Sequence, residues 1–334
     1  MLVHFRLNVP QNLSDEVLTM LENDTRVTNL VLHSGASVKP RGDAIEADVA
    51  REAASFVLDD LDALGLDVHG GIVISQPMGT PFRAAEEVER QAHGDPDDAV
   101  IWRLVERSAD VASRPTYNYL TFLIIATSLA SIAVLTDSSV LVVGAMVVGP
   151  EFATVAAVCV GAVLGKWALA GRALWLLTWS FVVAVLAIAV LSWLGLQMHF
   201  FTAEMVTRPR PQTGFIWRPD KWSFIVAVWA GAAGVLALAI DKTSAMVGVF
   251  ISVTTVPAAG NLALGLATRI PEEIIGSAAQ LGMNIAGMIL AGIVTLVVQR
   301  MIWRRLGADR RFRLSRLLSP AGIRRRPDPT RRQA

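Results

Sequence analysis

The chain has 334 residues, 53% of them hydrophobic, with a formal net charge of +1 and a mean hydropathy of +0.48. A soluble globular protein rarely averages that apolar, and the apolar residues concentrate between Asn118 and Val298. The single cysteine, Cys159, excludes an intramolecular disulfide and reads as a small buried hydrophobe.

Residues 1–80 read as an α+β domain. Met1 to Pro10 alternates apolar and polar residues, with no basic n-region or apolar h-region, so no cleavable signal peptide is expected. Val3, Phe5, Leu7 and Val9 share one face of a strand. Ser14-Asp15-Glu16 opens a helix with Val17, Leu18 and Leu21 on one side. Val27–His33 and Asp43–Val49 read as strands, Arg51–Leu64 as a helix and Leu66–Ser75 as a fourth strand. The order β-α-β-β-α-β predicts a ferredoxin-like unit with one open sheet face, onto which His4, Arg6 and Asn8 project. His4, His33 and His69 lack ligand spacing, so surface histidines rather than a metal site are expected. A sensory or oligomerising role for the open face rests on fold analogy alone.

Residues 81–115 read as a linker and juxtamembrane helix. Asp95-Pro96-Asp97 interrupts it, and Val100, Ile101, Leu104 and Val105 form an apolar stripe. That stripe suits packing on the bilayer, on a partner helix or on the N-terminal domain.

Six apolar stretches follow, at 118–135, 139–165, 173–196, 222–240, 243–267 and 274–298. Each is close to the roughly 20 residues that cross a bilayer. Six spans place both termini on one side. Trp167, Trp175, Trp193, Trp222 and Trp303 sit near span ends, as interfacial belts require. Residues 1–115 carry 10 Lys and Arg against 20 Asp and Glu, whereas residues 300–334 carry 12 Arg against 2 Asp. The Arg-rich tail selects the cytoplasm for both ends of a multi-pass protein of the plasma (inner) membrane. Arg300, Arg304, Arg305, Arg310 and Arg311 are expected to meet anionic lipid headgroups; no nucleic-acid partner is expected. Arg208, Arg210, Arg218 and Lys221 fall in an outside loop and dissent from this orientation.

The two halves, 116–196 and 222–299, resemble one another. Asp137 is followed by Gly144, and Asp241 at the same interval by Gly248. Pro150 interrupts one middle span and Pro257 the other. Three spans per half make the halves cross in opposite senses. The expected fold is therefore an α-helical membrane protein of six transmembrane helices, a 3+3 inverted repeat with broken middle helices. The run Gly144-Ala145-Met146-Val147-Val148-Gly149-Pro150, after the turn Asp137-Ser138-Ser139, resembles the signature of the domain-of-unknown-function 389 family of bacterial and archaeal membrane proteins. The resemblance covers roughly 116–300 and implies a membrane domain without naming an activity. Many members carry an apolar residue after the proline, where this chain has Glu151.

Glu151 is the residue most suggestive of chemistry. A carboxylate within a span costs about 2.5–3.5 kcal/mol on insertion scales and should face protein or water. Behind Pro150 it enters the first turn of a half-helix, whose positive end favours it. It reads as a cation or proton site, or simply as the cap of that half-helix. Gly149 and Pro150 form the break. Thr254, Thr255, Pro257 and Asn261 stand at the matching place in the second half, together with Ser252. They suit a substrate or ion, or equally the backbone groups a proline leaves unpaired. Asp137 and Asp241 read as N-caps of the middle spans. Gln280 and Asn284 share a helix face and suit an interhelical hydrogen bond. Gly161 with Gly165, and Gly287 with Ala291, offer close-packing faces within one subunit or in a homo-oligomer.

No HExxH, GxSxG, Walker A, CxxC or GxGxxG motif occurs in context, so neither an enzyme nor a cofactor is expected. The leading expectation is a transporter or channel for a small solute or ion, regulated by its cytoplasmic domain. The alternative is a membrane-anchored sensor or scaffold whose N-terminal domain binds a ligand or partner.

Overall fold

The structure is a computed structural model that describes residues 1–91, 99–240, 248, 251 and 253–308. The chain divides into two compact units, Met1–Ala99 and Val100–Trp303.

The first unit is built on the alternation of β1, Leu2–Pro10. Val3, Phe5, Leu7 and Val9 are fully buried, while Arg6 is exposed and His4 and Asn8 half-buried. The core face is covered by α1, Ser14–Asn23, and α2, Ala54–Ala63, through Val17, Leu21, Val57, Leu58 and Leu61. β2, Val27–Val38, and β3, Arg41–Ala50, form a hairpin. With β4, Gly71–Ser75, the sheet runs β2-β3-β1-β4 and is antiparallel throughout. This is the order a β-α-β-β-α-β chain produces.

Two expectations for this unit change. The stretch from Leu66 does not extend as one strand. Gly65 adopts φ +75° and ends α2, and Leu66–His69 makes a helical turn, α3, before β4 begins. Residues 83–91 are not linker either. They form α4, Arg83–Gln91, which packs on β2 and β3 with Ala85 and Val88 buried.

The second unit is helical. α5, Trp102–Ala112, lies against α8. Its Glu106 pairs with Lys166 and its Asp110 with Arg172, and Arg172 Nε also donates to Ser113 Oγ at 3.0 Å. Hydrogen bonding from Arg114 and from Arg172 outweighs the upward push of desolvation and holds the Asp110 carboxyl below its ordinary value.

α6, Tyr117–Thr136, α9, Trp167–Gln197, and α11, Lys221–Ala239, are each long and apolar enough to cross a membrane, as is the Pro271–Ile302 part of the last helix. A fifth crossing is supplied if the bent pair α7, Ser139–Val148, and α8, Glu151–Val163, is one span. α10, Ala203–Thr207, and a 3-10 turn, Gly214–Ile216, lie in the loop before α11. α12, Thr255–Thr268, and α13, Pro271–Ala308, complete the described chain. Of the expected stretch 243–267, only the part from 253 onward is continuously described. At most 39% of each long apolar window is buried within the protein. Ile125, Ile132, Val182, Leu186, Val190 and Leu290 point outward. Such an apolar exterior is stable only in lipid, so this is a membrane-embedded protein.

Buried small residues let the helices approach. Gly161 abuts the backbone of Ala170, so that face works inside the subunit. Gly165 does not: at φ +73° it turns the chain from α8 to α9, and nothing lies within 4 Å of its added Cβ. Gly287 meets Ala227 and Phe224 of α11. Gly260 of α12 faces α6 so closely that a Cβ would stand 2.7 Å from Ala130 Cβ and 2.8 Å from Ser131 N. Ser131 Oγ donates to the Gly260 carbonyl at 3.0 Å. Gly260→Val should therefore separate α6 from α12 and destabilise the membrane unit by about 1–3 kcal/mol, the usual cost of overpacking. A thermal melt in detergent reads the loss, and an unchanged melting temperature would show that the contact yields.

Candidate functional site at the broken helices

α7 and α8 meet at a 52° bend. Gly149 leaves the helix at φ −66°, ψ 127°, and Pro150 serves as the N-cap position of α8. Proline suits this place because it lacks the N–H that an interior position needs. Glu151 is the first residue of α8 and is 7% exposed. Its Oε1 accepts a hydrogen bond of 2.7 Å from Thr255 Oγ1, and Thr255 is the first residue of α12. The two helix starts, 104 residues apart in sequence, are thus joined. Glu151 Oε2 is buried with no hydrogen-bond partner among the described residues. It lies against Gly149, where a Cβ would stand 2.3 Å from Oε2 and 2.8 Å from Val256 Cγ2. Glycine is the residue that leaves that space.

Pro257 occupies the first turn of α12, where its missing N–H breaks no intrahelical bond. Thr254, one residue before the helix, turns away from Glu151. Its Oγ1 accepts from Asn284 Nδ2 at 2.9 Å and from Gln280 Nε2 at 3.3 Å. Gln280 and Asn284 therefore make the interhelical bond expected of them. Thr254 and Asn284 also line a cavity of about 250 Å³ with Phe215, Asp220, Trp222 and Ser223.

Asn261 does not join Glu151. It belongs to a second buried cluster that sequence reasoning missed. Arg210, from the loop before α11, donates from Nη2 to Glu273 Oε1 at 2.6 Å and from Nη1 to Asn261 Oδ1 at 2.7 Å. Asn261 Nδ2 donates to Glu273 Oε2 at 2.6 Å and to Ser277 Oγ at 2.7 Å. The side chains of Arg210 and Glu273 are 2% and 5% exposed. The available signal was an acidic pair, Glu272-Glu273, opening an apolar span directly behind Pro271, with an Arg between Pro209 and Pro211. The pairing also accounts for part of the dissent in the charge rule. Arg210 is neutralised internally, and Arg208 Nη2 donates to the Leu135 carbonyl at 2.7 Å.

Asp137 is not the N-cap of α7. It ends α6 in the left-handed conformation, φ 52°, and Ser138 caps α7 by accepting from Leu141 N at 3.4 Å. Asp137 can adopt this conformation because a short polar side chain tolerates it. Its carboxylate instead holds the loop, taking a bond from Thr213 Oγ1 at 2.8 Å and one from Gln212 N at 3.2 Å. Asp241 and Ser252 lie outside the described residues, as do Arg310 and Arg311. Arg304 and Arg305 fall within α13. Arg300 is engaged by the protein itself: Nη1 donates to the Val163 carbonyl at 2.6 Å, and its guanidinium lies 5.9 Å from the Trp102 ring. In the first unit His4 Nδ1 lies 2.8 Å from Asp48 Oδ1, while Asn29 Nδ2 donates to Asp48 Oδ2 at 2.8 Å. No cluster of three metal-ligating side chains occurs among the described residues.

Residues 146–290 match the family described as Domain of unknown function (DUF389). The chain carries a DUF389 domain. This domain begins inside α7 and ends inside α13, so it holds the break, Glu151, Arg210, Thr255, Asn261 and Glu273. No curated protein and no solved structure matches the chain.

The ion pair of the DUF389 domain yields a direct test. Breaking a buried pair by removing one partner typically costs about 3–5 kcal/mol, because a charge is left uncompensated. Arg210→Met should lose that much stability in a detergent melt. Arg210→Met with Glu273→Gln should recover most of it, since the amide oxygen still accepts from Asn261. Equal losses in the single and double variants would place the stability in the guanidinium's other contacts.

Proposed function

We propose that this protein is a membrane transporter or channel for a small solute or ion, with its site where the broken helices of two repeats meet. In this reading the chain crosses the membrane six times as a 3+3 inverted repeat. The first unit is a cytoplasmic regulatory domain, and both termini face the cytoplasm of the plasma membrane. The observation that carries the reading is the Glu151–Thr255 bond between the starts of α8 and α12. Irregular backbone inside an apolar shell is tolerated only where protein covers it or where it lines a water-filled path. Half-helix ends beside an under-satisfied carboxylate are a common way to hold a transported group. A cavity beside α11 reaches Thr254, the residue before Thr255. The acidic first unit and the Arg-rich tail share one side in this topology, and attraction between them would weaken with salt.

Topology and site are tested separately. In a Cys159→Ala background, Ser138→Cys should react with a membrane-impermeant thiol reagent on intact cells. Thr243→Cys should react only after permeabilisation. Labelling of both from one side would remove the inverted repeat. In reconstituted vesicles, proton-linked flux should fall to the level of empty vesicles in Glu151→Gln. Unchanged coupled flux from folded Glu151→Gln protein would move the site elsewhere.

A further inference from the structure

The starts of α8 and α12 are both positive ends of helix dipoles, each equivalent to about half an elementary charge. Their first-turn N–H groups have no acceptor within their own helices. Glu151 and Thr255 are the first residues of these helices, and their side chains are bonded at 2.7 Å. Two positive ends therefore converge on one place, and the group filling it is a carboxylate, 7% exposed, with one oxygen unpartnered among the described residues. Gly149 leaves room for that oxygen.

A cation is poorly served here. Thr255 spends its hydroxyl proton on Glu151, no second carboxylate among the described residues bonds there, and hard cations want about six oxygens. The surrounding charges are accounted for. Among the described residues, Tyr119 of α6 is a titratable group near Glu151, and its hydroxyl stands 3.5 Å from Ser180 Oγ. Glu106 and Asp110 of α5 pair with Lys166 and Arg172, the latter from α9, and Asp110 also pairs with Arg114. α7 carries no charged residue, α11 has Lys221 at its start, and α12 has none before Arg269 at its far end. Glu273 of α13 pairs with Arg210.

We propose that the junction of α8 and α12 is an anion site and that the Glu151 carboxylate is its tethered occupant. On protonation Glu151 yields the place to a small planar monovalent oxyanion. The inference rests on the transport reading above and names its substrate class. Size and shape follow from the present occupant: a carboxylate group fits, so formate, nitrate and anions of similar outline fit. Charge balance sets the order of events. An ionised Glu151 and a second anion repel each other across the same few ångströms, so a proton must arrive on Glu151 before the anion takes its place. Proton and anion then move together.

The test uses the full chain in phosphatidylcholine–phosphatidylglycerol vesicles loaded with nitrate or formate, with voltage clamped by potassium and an ionophore. Wild-type efflux should accelerate on acidification by up to about tenfold per pH unit, the most one titrating carboxyl can give, and protons should move with the anion. Glu151→Gln and Glu151→Ala lack the anionic occupant. Both should pass nitrate and formate independently of pH and without proton movement. Thr255→Val keeps Glu151 but removes its hydrogen-bond donor, so protonation comes more easily and the pH profile should move to higher pH. If folded Glu151 variants pass neither anion while wild type does, the carboxylate is required and the anion inference falls. The same holds if the Thr255→Val profile does not move. Wild-type flux of sodium, potassium or protons without either anion would overturn the anion site and leave the transport reading standing. No flux of any of these ions from wild type would overturn both.

Discussion

A helix end inside an apolar shell has to be satisfied by the protein, and much of the membrane unit is arranged by that requirement. The chain interrupts a helix at Gly149-Pro150 and begins another at Thr255, so two helix starts whose first N–H groups lack an acceptor in their own helix arise well inside the unit. Placing both starts around one carboxyl answers part of the demand with a single side chain. It also explains why small groups crowd there: Gly149 makes room for Glu151 Oε2, and Gly260 lets α12 lie against α6.

The loop before α11 is held by the same economy of polar groups. Asp137, at the left-handed end of α6, takes bonds from Thr213 and Gln212, while Arg208 reaches the last-turn carbonyl of Leu135. Arg210 then enters the unit and finds Glu273 and Asn261. One segment thereby closes the C-terminal end of α6 and fixes α12 against the start of α13. A guanidinium suits this role because its planar fork serves two acceptors at once. A loop that looks like a charged connector in sequence thus behaves as a structural strap.

Much of this was legible because it rests on periodicity and on punctuation. Alternation in Val3, Phe5, Leu7 and Val9 located the sheet's core face, and the apolar stretches located the long helices. Pro150 marked the break and Glu151 the expensive group within it. The junction with Thr255 was anticipated as two matching places, though nothing in the sequence states a 2.7 Å bond across 104 positions. Other features lay beyond local reasoning. Asn261 sat near Thr255 in sequence but turns with its helix toward Arg210 and Glu273, because helical neighbours six residues apart face different surroundings. Asp137 was misplaced by one residue: a favoured cap residue stands next to another, and Ser138 took the cap while Asp137 took the left-handed turn. The Gly65 turn cut the fourth strand short for a similar reason, since a glycine's positive φ is not written in apolar alternation.

The two buried glutamates of the membrane unit show how surroundings divide identical chemistry. Glu273 has each oxygen bonded, one to a guanidinium and the other to an amide, in a group where every partner has partners of its own. Removing its charge would leave the Arg210 guanidinium buried without its ion-pair partner. Glu151 has one oxygen on a neutral hydroxyl and the other without a hydrogen-bond partner among the described residues. Its charge is offset by helix ends rather than by an ion, and those ends act on whichever anion stands before them. A proton on Glu151 would strand no buried cation, in contrast to Glu273. A membrane protein that needs one rigid pin and one movable charge can thus use the same side chain for both. What separates the roles is the number of partners each is given.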